Sequence, residues 1–206
     1  MLNANSSDSI VQFQPSYTPL NDEYSSASKH ALMAATRREL ARAGWREFNL
    51  GNVMNDTKSS IAVLDQKWSG IAELVVDSVL DVVEPPSVEP RLAVTEQLCR
   101  LVDPFADMAR ASSGVGLLRG VLLAAADDKH AGVMFREYLN DSFRGPLKQI
   151  LADAASRGET RRSYDVDLAM EILFGTLWHR VLIMRAPLSE TAITRAVTAT
   201  LDHLQA

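Results

Sequence analysis

The sequence predicts an all-α protein, with a small three-helix head followed by a larger helical-bundle body. Three observations carry this. Apolar residues recur at helical spacing from Ser28 nearly to the end, no segment sustains the period-2 alternation of a strand, and the breaks fall at Gly, Pro and Ser/Asp/Asn capping positions. At 206 residues, 47% hydrophobic and 23% charged, the chain is long enough to bury its own core without staples.

Taken in order, residues 1–28 are rich in Ser and Asn, carry Pro15 and Pro19, and read as a flexible arm. Residues 29–43 are strong helix formers with Leu32, Ala35, Leu40 and Ala43 on one stripe, stopped by Gly44. Asn49 caps a short helix to about Met54, and Ser59 or Ser60 caps another to about Trp68. Together, residues 29–70 form the head. The body, residues 71–206, opens with the stripe Ile71, Leu74, Val75, Val79, Val82, closed by Pro85-Pro86 and Pro90. Longer helices follow at about 92–111, 115–127, 130–157, 166–184 and 189–204, with Asp165 and Ser189 as caps.

Composition excludes several classes. The lone Cys99 forbids an intramolecular disulfide and sits among leucines as an inert thiol, in keeping with a reducing cytoplasm. No secretory signal is visible at the N-terminus, and no apolar run nears the roughly 18 residues of a membrane span; the longest, Val115 to Ala126, is broken by Arg119. The four histidines lack metal spacing, Asp127-Asp128-Lys129-His130 reads as a helix cap, and Gly114-x-Gly116 lacks the rest of a dinucleotide fingerprint. No catalytic constellation, metal site or cofactor is expected. The net charge of −5 conceals an asymmetry: residues 29–71 carry Lys29, Arg37, Arg38, Arg42, Arg46, Lys58 and Lys67 against Glu39, Glu47, Asp56 and Asp65. A basic head on an acidic body suits a DNA reader.

Two short helices after a longer one are the helix-turn-helix arrangement, in which the second short helix enters the major groove. Periodicity alone favours an αα-hairpin inside a bundle. Val53 and Met54 are placed to pack under Leu64 and Trp68 against Leu40, leaving Ser60, Ala62, Val63, Gln66 and Lys67 outward. The stretch LARAGWREFNLGNVMNDTKSSIAVLDQKWSGIAELV resembles the N-terminal pattern of TetR-family transcriptional regulators through Gly44-Trp45, Phe48-Asn49-Leu50, Val53, Ser60, Leu64 and Trp68. RGETRRSYDVDLAMEILFGTLWHRVLIMRAPLSETAITRAVTATLDHL is similar to one C-terminal type of that family, whose "RGE" turn precedes two dimerising helices.

The resemblance implies a DNA-binding set of Arg46, Lys58, Ser59, Ser60, Ala62, Val63, Asp65, Gln66 and Lys67. Three positions depart from the family: Lys58 replaces a turn glycine, Asp65 a phosphate-binding tyrosine, and Ile71 a phosphate-binding lysine. Loss of such contacts removes positioning energy, with the Arg37, Arg38, Arg42 face as the expected compensation. It further implies an effector pocket from Phe105, Met108, Leu118, Leu122, Met134, Phe135, Tyr138, Phe174, Trp178 and His179, residues that a plain bundle core would also require. The last two helices present Leu168, Ile172, Gly175, Thr176, Leu182, Ile193, Val197 and Leu201 as a homodimer interface. The function expected is a cytoplasmic repressor that binds double-stranded operator DNA as a dimer and is released by a small apolar or aromatic effector. The alternative is a TetR-like dimer that no longer reads DNA and binds small molecules or proteins.

Overall fold

The computed structural model describes residues 22–65 and 67–205. Among them every regular element is a helix. The first, α1 (Asp22–Ala43), begins within the expected arm; the rest of that arm, to residue 21, lies outside the described residues. Once a helix is nucleated, each added residue costs little, and serines lower that gain by only tenths of a kcal/mol. Gly44 ends α1 at φ +72°, its N–H reaching the Leu40 carbonyl at 2.9 Å.

The next elements are α2 (Leu50–Thr57), α3 (Ile61–Asp65) and α4 (Ile71–Leu80). The Asn49 side chain accepts the Gly51 N–H at 2.8 Å and starts α2. Leu32, Met33 and Ala35 of α1, Val53 of α2, Leu64, Trp68 and Leu74 of α4 form the head core, with Met54 and Val63 against it. Leu40, expected here, belongs to the body core instead. A Cβ on Gly120 would stand 2.6 Å from a Leu40 methyl carbon, so the absent side chain is what lets α1 lie against α6.

Beyond α4, whose Val75, Val76 and Val79 enter the body core, the body continues with α5 (Val94–Arg110), α6 (Gly114–Asp127), α7 (Lys129–Leu139), α8 (Gly145–Ser156), α9 (Val166–Met170), α10 (Thr176–Trp178) and α11 (Glu190–Gln205). The expected 130–157 helix is continuous but widens into a π-helical stretch, Asn140–Arg144, between α7 and α8. Pro146 explains it: proline lacks the N–H for the ladder, and a wide turn accommodates its ring. The expected 166–184 helix likewise carries π-helical stretches at Glu171–Gly175 and His179–Ile183, flanking α10. There the Thr176 hydroxyl donates to the Ile172 carbonyl at 2.5 Å and competes with the backbone ladder.

Asp128, Asp165 and Ser189 cap the starts of α7, α9 and α11 as expected, accepting backbone N–H bonds at 2.9–3.3 Å. The Arg157-Gly158-Glu159 turn has a structural task as well. Gly158 supplies φ +77°, and Glu159 accepts the Val94 N–H at 3.1 Å, capping α5 from 65 residues away. No described helix is long and apolar enough to cross a membrane.

Candidate nucleic-acid interface and effector cavity

The head is held by one buried carboxylate. Glu39, 7% exposed, accepts two N–H bonds from Arg42, one from the Asn52 side chain and one from the Asn49 backbone, locking α1 to the start of α2. The Arg42 guanidinium, followed by those amide donors, holds its pKa down to about 2. α3 is seated by Leu64 and Trp68, and the backbone turns on past Asp65 through Lys67 and Trp68 N–H bonds to the Leu64 carbonyl.

Lys58 occupies the left-handed region at φ +53°. This explains the glycine usual at that position: any side chain there costs about 1–2 kcal/mol of backbone strain. Lys58, Ser60, Asp65 and Arg46 are exposed, and Ser59 is half-buried. Val63, expected outward, is half-buried against the head core. The Ala62 side chain and Gln66 lie outside the described residues.

Lys67 is exposed, as expected, but it is not free. Its ammonium turns back over the Trp68 ring, 5.2 Å from the centroid, and pairs with Asp77 of α4 at 3.2 Å. The arginine face is likewise engaged: Arg37 with the Ser78 carbonyl and Asp81, Arg38 with Asp56, Arg42 with Glu39. Ile71, at the site of the family lysine, is exposed. Sequence reasoning missed Ile61, the first residue of α3 and 63% exposed.

Below the head, α4, α5, α6, α7, the Asn140–Arg144 stretch and α10 enclose an apolar cavity of about 30 Å³. Six expected residues line it: Phe105, Met108, Leu118, Phe135, Tyr138 and Trp178. Phe105 and Trp178 pack at 4.6 Å between ring centroids, with Phe174 behind, tilted against Phe143 at 4.8 Å. Leu122 and Met134 pack at the core's edge without reaching the cavity. His179 is exposed, since one residue beyond Trp178 the helix has turned by about 100°. The Tyr138 hydroxyl is buried without a hydrogen-bond partner; burial raises its pKa, and nearby Ser142 opposes the shift without reaching bonding geometry. Val79, Leu80 and Val83, on and just beyond α4, also line it, with Val121, Leu139 and Phe143. Of the stripe expected on α4 only Val79 reaches the cavity, and Val82, expected on the same side, is exposed.

The dimer set divides. Ile193, Val197 and Leu201 are buried in the subunit's own core, where α11 packs on α5 and α10. Leu168, Gly175 and Thr176 remain exposed and Ile172 and Leu182 half-buried, with Ile183 beside them 69% exposed.

Two short helices on a longer one, joined through α4 to a helical bundle, are the architecture of a helix-turn-helix transcriptional regulator. The model of the tetracyclin repressor-like C-terminal domain matches residues 93–200. The chain belongs to the TetR family of transcriptional regulators. An uncharacterised HTH-type transcriptional regulator of Mycobacterium tuberculosis is 24% identical over 174 residues, covering 81% of this chain and 82% of that protein; its Mycobacterium bovis counterpart gives the same figures. Among solved structures, a transcriptional regulator from Pseudomonas aeruginosa superposes with TM-score 0.64 at 17% identity, covering 89% of this chain and 91% of the other. A TetR regulator from Agrobacterium tumefaciens gives 0.61 at 16% identity, with 85% and 93% covered.

Proposed function

We propose that this regulator is a dimeric repressor whose α4 transmits occupancy of the body cavity to the DNA-reading head. One observation carries the reading: a single helix serves both places. Val79 and Leu80, with Val83 just past its end, line the cavity, while Leu74 enters the head core and Asp77 holds Trp68 and Lys67. A ligand that displaces the end of α4 would therefore move α3 directly, and a two-state element biased from two sites is what allostery requires.

Size sets the direction of that movement. About 30 Å³ accommodates one water, whereas small-molecule pockets run from about 300 Å³ upward. Val83 and Met108 also line a groove of about 520 Å³ between α1, α5 and α6. An apolar or aromatic effector gains room by pushing those two side chains toward the groove, and Val83 takes α4 with it. Leu168, Ile172, Gly175, Thr176, Leu182 and Ile183 supply the two-fold face, and two heads then read a pseudo-palindromic operator.

The second reading, a dimer that no longer recognises DNA, is favoured by Asp65, Ile71 and the pairing of Lys67 with Asp77. Selection of duplexes from a random library at low ionic strength separates the two. A recovered motif whose binding weakens with salt supports the repressor; no salt-dependent binding by a folded dimer overturns it.

A further inference from the structure

Ile61 and Leu64 stand at the i, i+3 spacing of one apolar side of α3, with Trp68 just past its end, and such a side is ordinarily buried throughout. Leu64 and Trp68 are 5% and 3% exposed, yet Ile61 is 63% exposed. The apolar stripe thus runs off the edge of the head at the first turn of α3, the turn that meets base edges in helix-turn-helix proteins. One turn on, Asp65 is exposed too. Lys67, past the end of α3 and itself exposed, pairs with Asp77 and lies over the Trp68 ring. The exposed, described side chains of α3 itself are therefore an aliphatic group and a carboxylate, with no cation to donate to guanine N7 and O6.

We infer that Ile61 is a specificity residue that packs on the C5-methyl group of a thymine in the major groove, with Asp65 beside it accepting from a cytosine N4 amino group. In the major groove the thymine methyl is the apolar mark and the cytosine amino group a donor, so this face matches pyrimidine edges. The inference rests on the reading of the protein as a DNA-binding repressor and assigns what its recognition helix reads.

The test uses the full chain and the duplex motif selected from the library. Each thymine is replaced in turn by deoxyuridine, which removes only the methyl group and leaves the protein untouched. Wild-type binding is expected to weaken about three- to fivefold at one or more thymines, the value of one methyl removed from water. Ile61→Ala, which alters no core side chain, is expected to bind the thymine and deoxyuridine duplexes equally, and Asp65→Asn to move an adjacent preference from cytosine toward adenine. Indifference of the wild type to every replacement, or a full deoxyuridine penalty retained by Ile61→Ala, overturns the inference while the selected motif keeps the repressor reading intact. Absence of salt-dependent DNA binding overturns both.

Discussion

The indole N–H of Trp68 donates to Asp77 at 2.9 Å, on the same carboxylate oxygen that pairs with Lys67 at 3.2 Å. The segment just past the recognition helix is thereby fastened to the middle of α4, nine to ten residues on in sequence. Asp77→Ala leaves a buried indole donor unsatisfied, which costs about 1–3 kcal/mol. A lowered melting temperature is expected, together with a steeper salt dependence of DNA binding by about one unit, because Lys67 is freed for a phosphate. An unchanged salt slope would mean that Lys67 already meets the backbone.

At Lys58 stability and binding are opposed. Lys58→Gly relieves the left-handed strain at φ +53°, worth about 1–2 kcal/mol, or a rise in melting temperature of about 2–8 °C for a chain of this size. The same change removes an exposed cation from the turn before α3. Thermal unfolding and DNA titration on one sample are expected to move in opposite directions.

Acid should loosen the head through Glu39. Its folded-state pKa of about 2 lies below the ordinary 4.5, so the ionised carboxylate stabilises fully above pH 4.5. That contribution is lost as pH falls from 4.5 toward 2. Because Arg42 is largely in water, the contribution is about 1–2 kcal/mol rather than the full shift. Glu39→Gln is expected to lower stability at pH 7 and to flatten the decline below pH 4.5 in melts followed by circular dichroism.

Gly175 tests the two-fold face. A Cβ there meets nothing within 4 Å in the subunit, so Gly175→Leu leaves the monomer fold intact and replaces a helix-weakening glycine. Sedimentation at micromolar concentration is expected to show the wild type at twice 22.6 kDa and the variant shifted toward the single subunit. A wild type that sediments as one subunit removes the dimer from the mechanism.

Tyr138→Phe deletes a buried hydroxyl that has no partner. Stability is expected to rise by about 1 kcal/mol, since an unsatisfied buried polar group is removed without a cavity. Affinity for effectors that offer a hydrogen-bonding group should fall, while purely hydrocarbon effectors bind as before. Calorimetric titration with matched ligand pairs reads the difference.

The helix starts in head and body were legible because their determinants are few residues apart. Asn49 reaches Gly51, Asp128 reaches Ala131, Asp165 reaches Asp167 and Leu168, and Ser189 reaches Ala192. The residues around Phe105 and Trp178 were legible as an aromatic cluster, since large apolar side chains at helical spacing have nowhere else to go. Whether each lined a cavity or backed it was not, because that depends on how six helical segments meet.

The sequence by itself determined the all-helical class, the caps and breaks that divide the helices, and the family frame from Gly44-Trp45 to Trp68. The class, caps and breaks are read from side chains acting on their own backbone within about one turn, and the frame from its resemblance to the family pattern. Only the tertiary structure decided that Lys67 faces Asp77, that Leu40 seats on Gly120, that Ile193, Val197 and Leu201 fill the subunit while Gly175 stays open, and that Ile61 is left bare. Periodicity names a helix's apolar side but not what covers it; that is settled by partners brought close only when the chain has folded.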